Sequence, residues 1–329
     1  MPATFAHCLM VQKSIDKISK DFKKKKNPLI EYVQKIGVKN NFVIMGAAGP
    51  DYPYLTDILT TAILPISHTW ANRMHYENTL LFVNEGVKNL KQIDKSSEKF
   101  AIRLAWFCGF ISHVMADSFI HPVVNSITGG PYMFTKEEHG KCELVQDIYI
   151  YKKLTGEDVV SANPREGNLG YLKILEECSD PKDENKVHPE INEFWRILLQ
   201  AAHPQAKEYF GDIVPDRWHY NYKGRLNFVA DPGAIFRHVI GLTGRAYKKE
   251  SEINSDERNK YIDKVRLPNG EISNYDAIFN EAVQFIVDTW AQLFDDIEKK
   301  NTVVGYIKDW NLDTGVDESR VDLWQKKEA

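Results

Sequence analysis

The chain predicts an all-α fold, and three observations carry that prediction. Apolar residues recur at helical spacing through most segments, convincing alternation at strand spacing is scarce, and Ser, Asn, Pro and Gly fall where helices would begin and end. With 329 residues, 43% of them apolar, the chain has enough hydrophobic surface for a large core. No internal repeat and no low-complexity linker divides it. It therefore reads as one α-helical domain over residues 1–329, with its candidate chemistry in 1–154 and a helical extension of unknown role in 155–329.

The elements follow in order. Leu9, Val11, Ile15 and Ile18 give a first helix over Cys8–Lys20, and Asn27-Pro28 supplies a cap and first-turn pair for a second that runs to Lys35 and stops near Gly37. Two glycines and two prolines in Gly46–Pro53 predict a loop, which puts Asp51 on a tight turn. Further helices are expected over Asn78–Lys91 and from Ser97 through His121, where Pro122 should end the element. Gly129-Gly130-Pro131 then closes a connection before a helix over Lys136–Leu154. In the second half, helices are expected at Pro189–Ala202, Pro232–Tyr247 and Tyr275–Lys300. Loops are expected at 155–169, 179–188 and 211–233, and the tail beyond Asn301 is weakly patterned.

Bulk properties exclude several classes. A net charge of −4 gives no global attraction to nucleic acid or anionic lipid, so a nucleic-acid partner is not expected. The run Lys23–Lys26 reads as the solvated end of a helix. Cys8, Cys108, Cys142 and Cys178 form no CxxC pair and read as free core thiols rather than disulfides or ligands. Residues 1–7 carry no basic, apolar and small-residue leader pattern, so the expected location is the cytoplasm, or outside it by a route that needs no such leader, as for a secretion-system effector. The most apolar stretch, Phe100–Ile120, contains Arg103, His113 and Asp117, which argues against a transmembrane segment.

Chemistry concentrates in His7, Asp51, His75, His113, Asp117, His121, His139 and Glu143. Imidazole and carboxylate are the donors that borderline divalent cations such as zinc accept, and eight donors exceed one tetrahedral shell, so a cluster of metals is expected. His113, Asp117 and His121 are spaced i, i+4, i+8, which stacks them on one face of a helix, and His139 and Glu143 repeat the i, i+4 step on the next. A single histidine on an apolar helix is usually a satisfied core residue; three donors in register reverse that reading. His68, in Ser67-His68-Thr69, competes with His75 and is assigned a supporting role. Tyr52, Tyr54, Trp70, Tyr76, Tyr132 and Phe134 flank these segments. Each can be core, yet together they offer faces for a quaternary ammonium, with Tyr54 and Tyr132 the preferred substrate contacts.

These residues carry a resemblance. The stretch from His7 to Asp16, then Pro50-Asp51, Met74-His75-Tyr76, Ser112-His113-Val114-Met115-Ala116-Asp117, His121-Pro122 and His139-x3-Glu143 resemble, in that order, the zinc-dependent phospholipase C family, which shares its helical fold with the S1/P1 nucleases. The resemblance covers roughly residues 1–150. It implies an all-α domain with two or three zinc ions: Asp51, His75, His113 and Asp117 around one, His121, His139 and Glu143 around a second, and His7 with a bridging Asp117 at a third. It further implies a phospholipid substrate met at a membrane surface. Two features depart from the secreted members: no tryptophan precedes His7, and Asp117-x3-His121 is two residues tighter, closer to the glycosylphosphatidylinositol-specific phospholipase D branch.

The chemistry implied is hydrolysis of a phosphodiester by a metal-activated water. Asp51 is the expected catalytic base and orienter, and a phosphatidylcholine-type lipid would give diacylglycerol and a phosphorylated headgroup. The alternatives are a single-strand nuclease of the S1/P1 type, a phospholipase D acting on glycosylphosphatidylinositol, and a non-enzymatic helical lipid-binding protein. Di-iron carboxylate bundles want Glu-x-x-His pairs, which the ligand segments lack.

Overall fold

The computed structural model describes residues 4–54, 70–161, 165–166, 170–206, 208, 211–230 (backbone alone for 225–230), 247–299, 304–317 and 323–324. The chain runs α1 (Thr4–Lys25), α2 (Ile30–Val38), α3 (Asn40–Ala47), α4 (Trp70–Tyr76), α5 (Thr79–Lys91), α6 (Glu98–Thr128), α7 (Tyr132–Thr155) and α8 (Tyr171–Glu177). It continues with β1 (Ser179–Asp180), β2 (Asp183–Val187), α9 (Pro189–Ala202), α10 (Pro215–Ala230), β3 (Val265–Arg266), β4 (Ile272–Ser273) and α11 (Tyr275–Glu298). The sheets are two antiparallel hairpins, β1–β2 and β3–β4, so the all-α expectation holds.

Helix α6 is the axis. Ser97 starts it, its Oγ accepting from the Phe100 amide, and Gly129 ends it at φ 89°, where a residue without Cβ is unstrained. Between them Leu104, Ala105, Trp106, Phe107, Cys108, Phe110 and Ile111 are all buried, so the helix is apolar around its whole circumference and must be enclosed. Helices α1, α2, α3, α5, α7, α9 and α11 enclose it. It is long and apolar enough to cross a membrane by length and composition, and 83% of its most apolar window is buried inside the fold. Arg103 is buried within it because Glu190, Glu193 and Asn89 bind its guanidinium. One apolar cluster extends from Ala6 through this helix to Leu312.

The approach of α3 to α6 is set by two glycines. A Cβ on Gly46 would fall on the Trp106 carbonyl oxygen, and one on Gly109 would fall on that of Val43. The backbones thus touch directly, as only glycine permits.

Several expectations are corrected. Pro122 does not end α6; the helix continues to Thr128, because a missing N–H costs one rung while Val123 and Val124 beyond it are fully buried. Gly46 and Ala47 are not loop but the last turn of α3, held by packing on α6, with turn backbone only at 48–51. The expected loop 179–188 contains the β1–β2 hairpin, 155–169 contains a 3₁₀ turn at Val159–Ser161, and 211–233 contains α10, whose Trp218 and Tyr222 are buried despite polar neighbours. Helix α8 and the first part of α3 had no predicted counterpart. The expected helix at Pro232–Tyr247 lies outside the described residues except Tyr247, which is not helical, and His68 lies outside them too. The second helix starts at Ile30, with Asn27 Oδ1 accepting from the Leu29 amide instead of capping at Pro28.

Replacing Gly109 by alanine should separate α3 from α6 and destabilise the fold by ~1–3 kcal/mol, read as a lower urea midpoint at unchanged slope; an unchanged midpoint would show that the helix contact gives way freely.

Candidate metal centre

Five elements deliver the eight predicted donors to one place: His7 from α1, Asp51 from the turn after α3, His75 from α4, His113, Asp117 and His121 from α6, and His139 and Glu143 from α7. They form three groups whose donor atoms lie within 4.8 Å of one another: His7, His113 and Asp117; Asp51, His75 and His113; and His121, His139 and Glu143. Asp117 joins them. Its Oδ1 lies 3.1 Å from His7 Nε2 and 3.9 Å from His121 Nε2, and its Oδ2 lies 3.1 Å from His113 Nε2. Asp51 Oδ1 is 3.3 Å from His75 Nε2, and Glu143 Oε1 is 3.2 and 3.1 Å from His121 and His139 Nε2. His75, His113, Asp117, His139 and Glu143 are buried; His7, Asp51 and His121 are the partly exposed side.

The donors are aimed from behind. Nδ1 of His75 bonds the Ala71 carbonyl at 2.8 Å, that of His113 the Ala47 carbonyl at 2.8 Å, and that of His121 the Leu312 carbonyl at 2.6 Å. A carbonyl only accepts, so Nδ1 carries the proton and each Nε2 turns its lone pair into the cluster. Glu143 Oε2 and His139 Nδ1 are buried with no partner among the described residues. Converging Nε2 lone pairs beside a buried, unsatisfied carboxylate oxygen are what a zinc-class cation would complete, so the donor set fits such a metal.

Around the donors, Tyr54 packs its ring 5.2 Å from that of His75, and Tyr132 sets its ring edge-on to His139 at 5.2 Å. Tyr76 donates to Asp313 Oδ2 at 2.8 Å. Of the other aromatics singled out, Tyr52 and Trp70 are core, while Phe134 is exposed. Tyr52, next to Asp51, is anchored in the core: its hydroxyl lies 3.4 Å from His219 Nδ1, whose Nε2 lies 2.9 Å from Ser179 Oγ. Burial pushes the His219 imidazole down to about 3, so it is neutral.

Sequence reasoning missed four contributors. Asp147 accepts from the Ala6 amide at 2.6 Å and from the Tyr247 hydroxyl at 2.7 Å, anchoring the start of the helix that carries His7. Burial lifts its carboxyl to about 6 against those two bonds. Its spacing was the available signal, since 139, 143 and 147 continue one i, i+4 row. Leu312, Asp313 and His219 had none, because they arrive from distant segments and Leu312 acts through its backbone.

The sequence matches the family of zinc dependent phospholipase C over residues 6–204, more than half of the chain. The chain belongs to the zinc-dependent phospholipase C family. No curated protein and no solved structure matches it. The family is one of phospholipase C hydrolases, and zinc is its metal. All eight predicted donors lie within the matched span, whereas Leu312 and Asp313 lie beyond it. Its four cysteines are free, buried and apart from the donor groups, with burial raising every thiol.

Without metal, His75, His113 and His121 are held as ions by the carboxylates beside them. Burial disfavours the charged His121, but Asp117 and Glu143 outweigh it and lift the imidazole to about 10; His75 and His113 are raised in the same way. Burial likewise opposes the charged Asp51, yet His113 and His75 hold it down at about 2. His121 therefore stabilises the metal-free fold in full below about pH 6.5 and loses that contribution as pH rises toward about 10. Asp51 contributes above about pH 3.8 and loses its share as pH falls through about 2. Metal-free protein should be most stable between about pH 4 and 6.5, while zinc, which needs deprotonated ligands, should add most stability above that window. Melting curves of chelated and zinc-loaded protein across pH check this; a chelated protein that gains stability from pH 6.5 to 9 would contradict it.

Proposed function

We propose that this protein hydrolyses the phosphodiester of phosphatidylcholine-type phospholipids to diacylglycerol and a phosphorylated headgroup, using two or three zinc ions held by His7, Asp51, His75, His113, Asp117, His121, His139 and Glu143. The observation that carries the reading is the sharing of a two-oxygen donor: Asp117 presents Oδ1 to His7 and His121 and Oδ2 to His113, whose one free Nε2 serves a single ion. A donor shared in this way suits neighbouring ions and not a single closed structural site.

Zinc bound there supplies Lewis acidity to the phosphoryl oxygens and makes a nearby water acidic enough to react near neutral pH. The protein's own groups then have separate tasks. Asp51, ionised and on the exposed side, orients the attacking water and accepts its proton as the water oxygen bonds to phosphorus. The bond from phosphorus to the glycerol oxygen breaks, and that oxygen takes a proton from solvent. Tyr54 and Tyr132 stand beside the donors with aromatic faces for a quaternary ammonium, and the Asp313 carboxylate adds a negative charge on the same side.

Met133 and Phe134, 72% and 80% exposed, follow Tyr132 directly, where α7 is kinked at Thr135. Two adjacent, exposed apolar side chains next in sequence to Tyr132 suit contact with the acyl region of a membrane that presents the substrate.

The deciding experiment measures zinc per chain together with phosphocholine release from phosphatidylcholine, with and without chelator. Two or three zinc ions and chelator-sensitive release are expected; zinc with turnover of single-stranded nucleic acid and none of lipid would replace this reading. Asp51→Asn should retain most of the zinc while turnover falls ~10²-fold or more, and near-normal activity would remove Asp51 from the role. Replacing Met133 and Phe134 together by serine should lower activity on vesicles severalfold and leave a dispersed short-chain substrate unaffected. Equal losses on both substrates would place these side chains in the chemistry instead.

A further inference from the structure

The described tail segment 304–317 lies beyond the family match yet reaches the back of two predicted donors, His121 and His75. Its Leu312 touches two donor helices at once. The carbonyl accepts from His121 Nδ1 at 2.6 Å, and the amide donates to the His75 carbonyl at 2.9 Å. Bonds on either side pin this residue. Asn125 Nδ2 donates to the Asp313 carbonyl at 2.7 Å, Asp309 Oδ1 accepts from the Leu80 amide at 2.8 Å, and Asn84 Oδ1 accepts from the Val304 amide at 3.0 Å. Gly315, at φ 64°, packs where a Cβ would collide with Pro122 and the Ser118 carbonyl. His75 and His113 take their backbone acceptors from residues 71 and 47, inside the donor-bearing half, but His121 depends on a residue 191 positions away.

We infer that residues 304–317 are a positioning strap for the His121 group: the Leu312 carbonyl fixes the imidazole with Nε2 facing Glu143, and zinc binding and strap docking stabilise each other. The inference rests on the zinc reading proposed above. The coupling follows from linkage. A metal that holds His121 in place strengthens its bond to Leu312, and a docked Leu312 favours the metal-binding orientation by the same factor.

Two substitutions in the full chain probe the strap without touching a donor. Gly315→Val drives a branched side chain into Pro122 at a backbone angle it tolerates poorly, and Asn125→Ala removes one pin and is the milder change. Titration against a zinc-binding dye should show zinc affinity at one site falling ~10–100-fold in Gly315→Val and less in Asn125→Ala, with the remaining zinc unaffected. In the unmodified protein, hydrogen exchange of the Leu312 amide should slow when zinc is added. The inference is overturned if Leu312 exchange ignores zinc in a protein that binds it. It is equally overturned if Gly315→Val keeps full zinc affinity while the amides of 304–317 exchange freely. An unmodified protein that binds no zinc would overturn the zinc reading itself, and this inference with it.

Discussion

The direct backbone contact between α3 and α6 is the constraint on which the rest of the structure depends. Gly46 and Gly109 let the two helices meet without intervening side chains, and that distance brings the Ala47 carbonyl to His113 and starts the turn that presents Asp51. Because α6 also carries Asp117 and His121, a displacement at Gly109 would travel along a rigid helix to three donors at once. Packing and chemistry are therefore one problem at this crossing, and small residues there serve the site four to twelve positions away.

The polarity inside the core follows from the same arrangement. Five imidazoles and three carboxylates in an apolar setting would be ruinous if unpaired. They are tolerated because each imidazole faces a carboxylate within 4 Å and three of them lean on backbone carbonyls. Protons on His75, His113 and His121 help hold the arrangement together when no metal does: the carboxylates beside them raise these three imidazoles, and His113 and His75 lower Asp51.

What the sequence made legible was local and periodic. The row His113, Asp117, His121 and the pair His139, Glu143 are visible because helical period alone places them together. Asp147 obeys the same period and was passed over, since it holds a helix end and not the cluster. The misreadings occurred where tertiary packing overrode a local signal. Pro122 lies inside a helix that buried neighbours carry past it, Gly46 ends a helix because α6 needs a residue without Cβ, and the polar residues of α10 hid a buried Trp218 and Tyr222. The strap was beyond reach for a different reason. Leu312 contributes a carbonyl and an amide, which every residue but proline possesses, so nothing in its side chain marks it.

The thiols give the centre a particular chemical character. Cys8 and Cys142 adjoin donors in sequence, yet all four cysteines are buried, pushed toward the neutral thiol and absent from the donor groups. A zinc site built on thiolates releases its metal when oxidants convert sulfur to disulfide or sulfenic acid, because the ligand itself is consumed. Imidazole and carboxylate offer no such reaction. A metal held by these residues would answer to acidity and not to redox poise, so the centre would keep its donors intact in a reducing or an oxidising compartment alike.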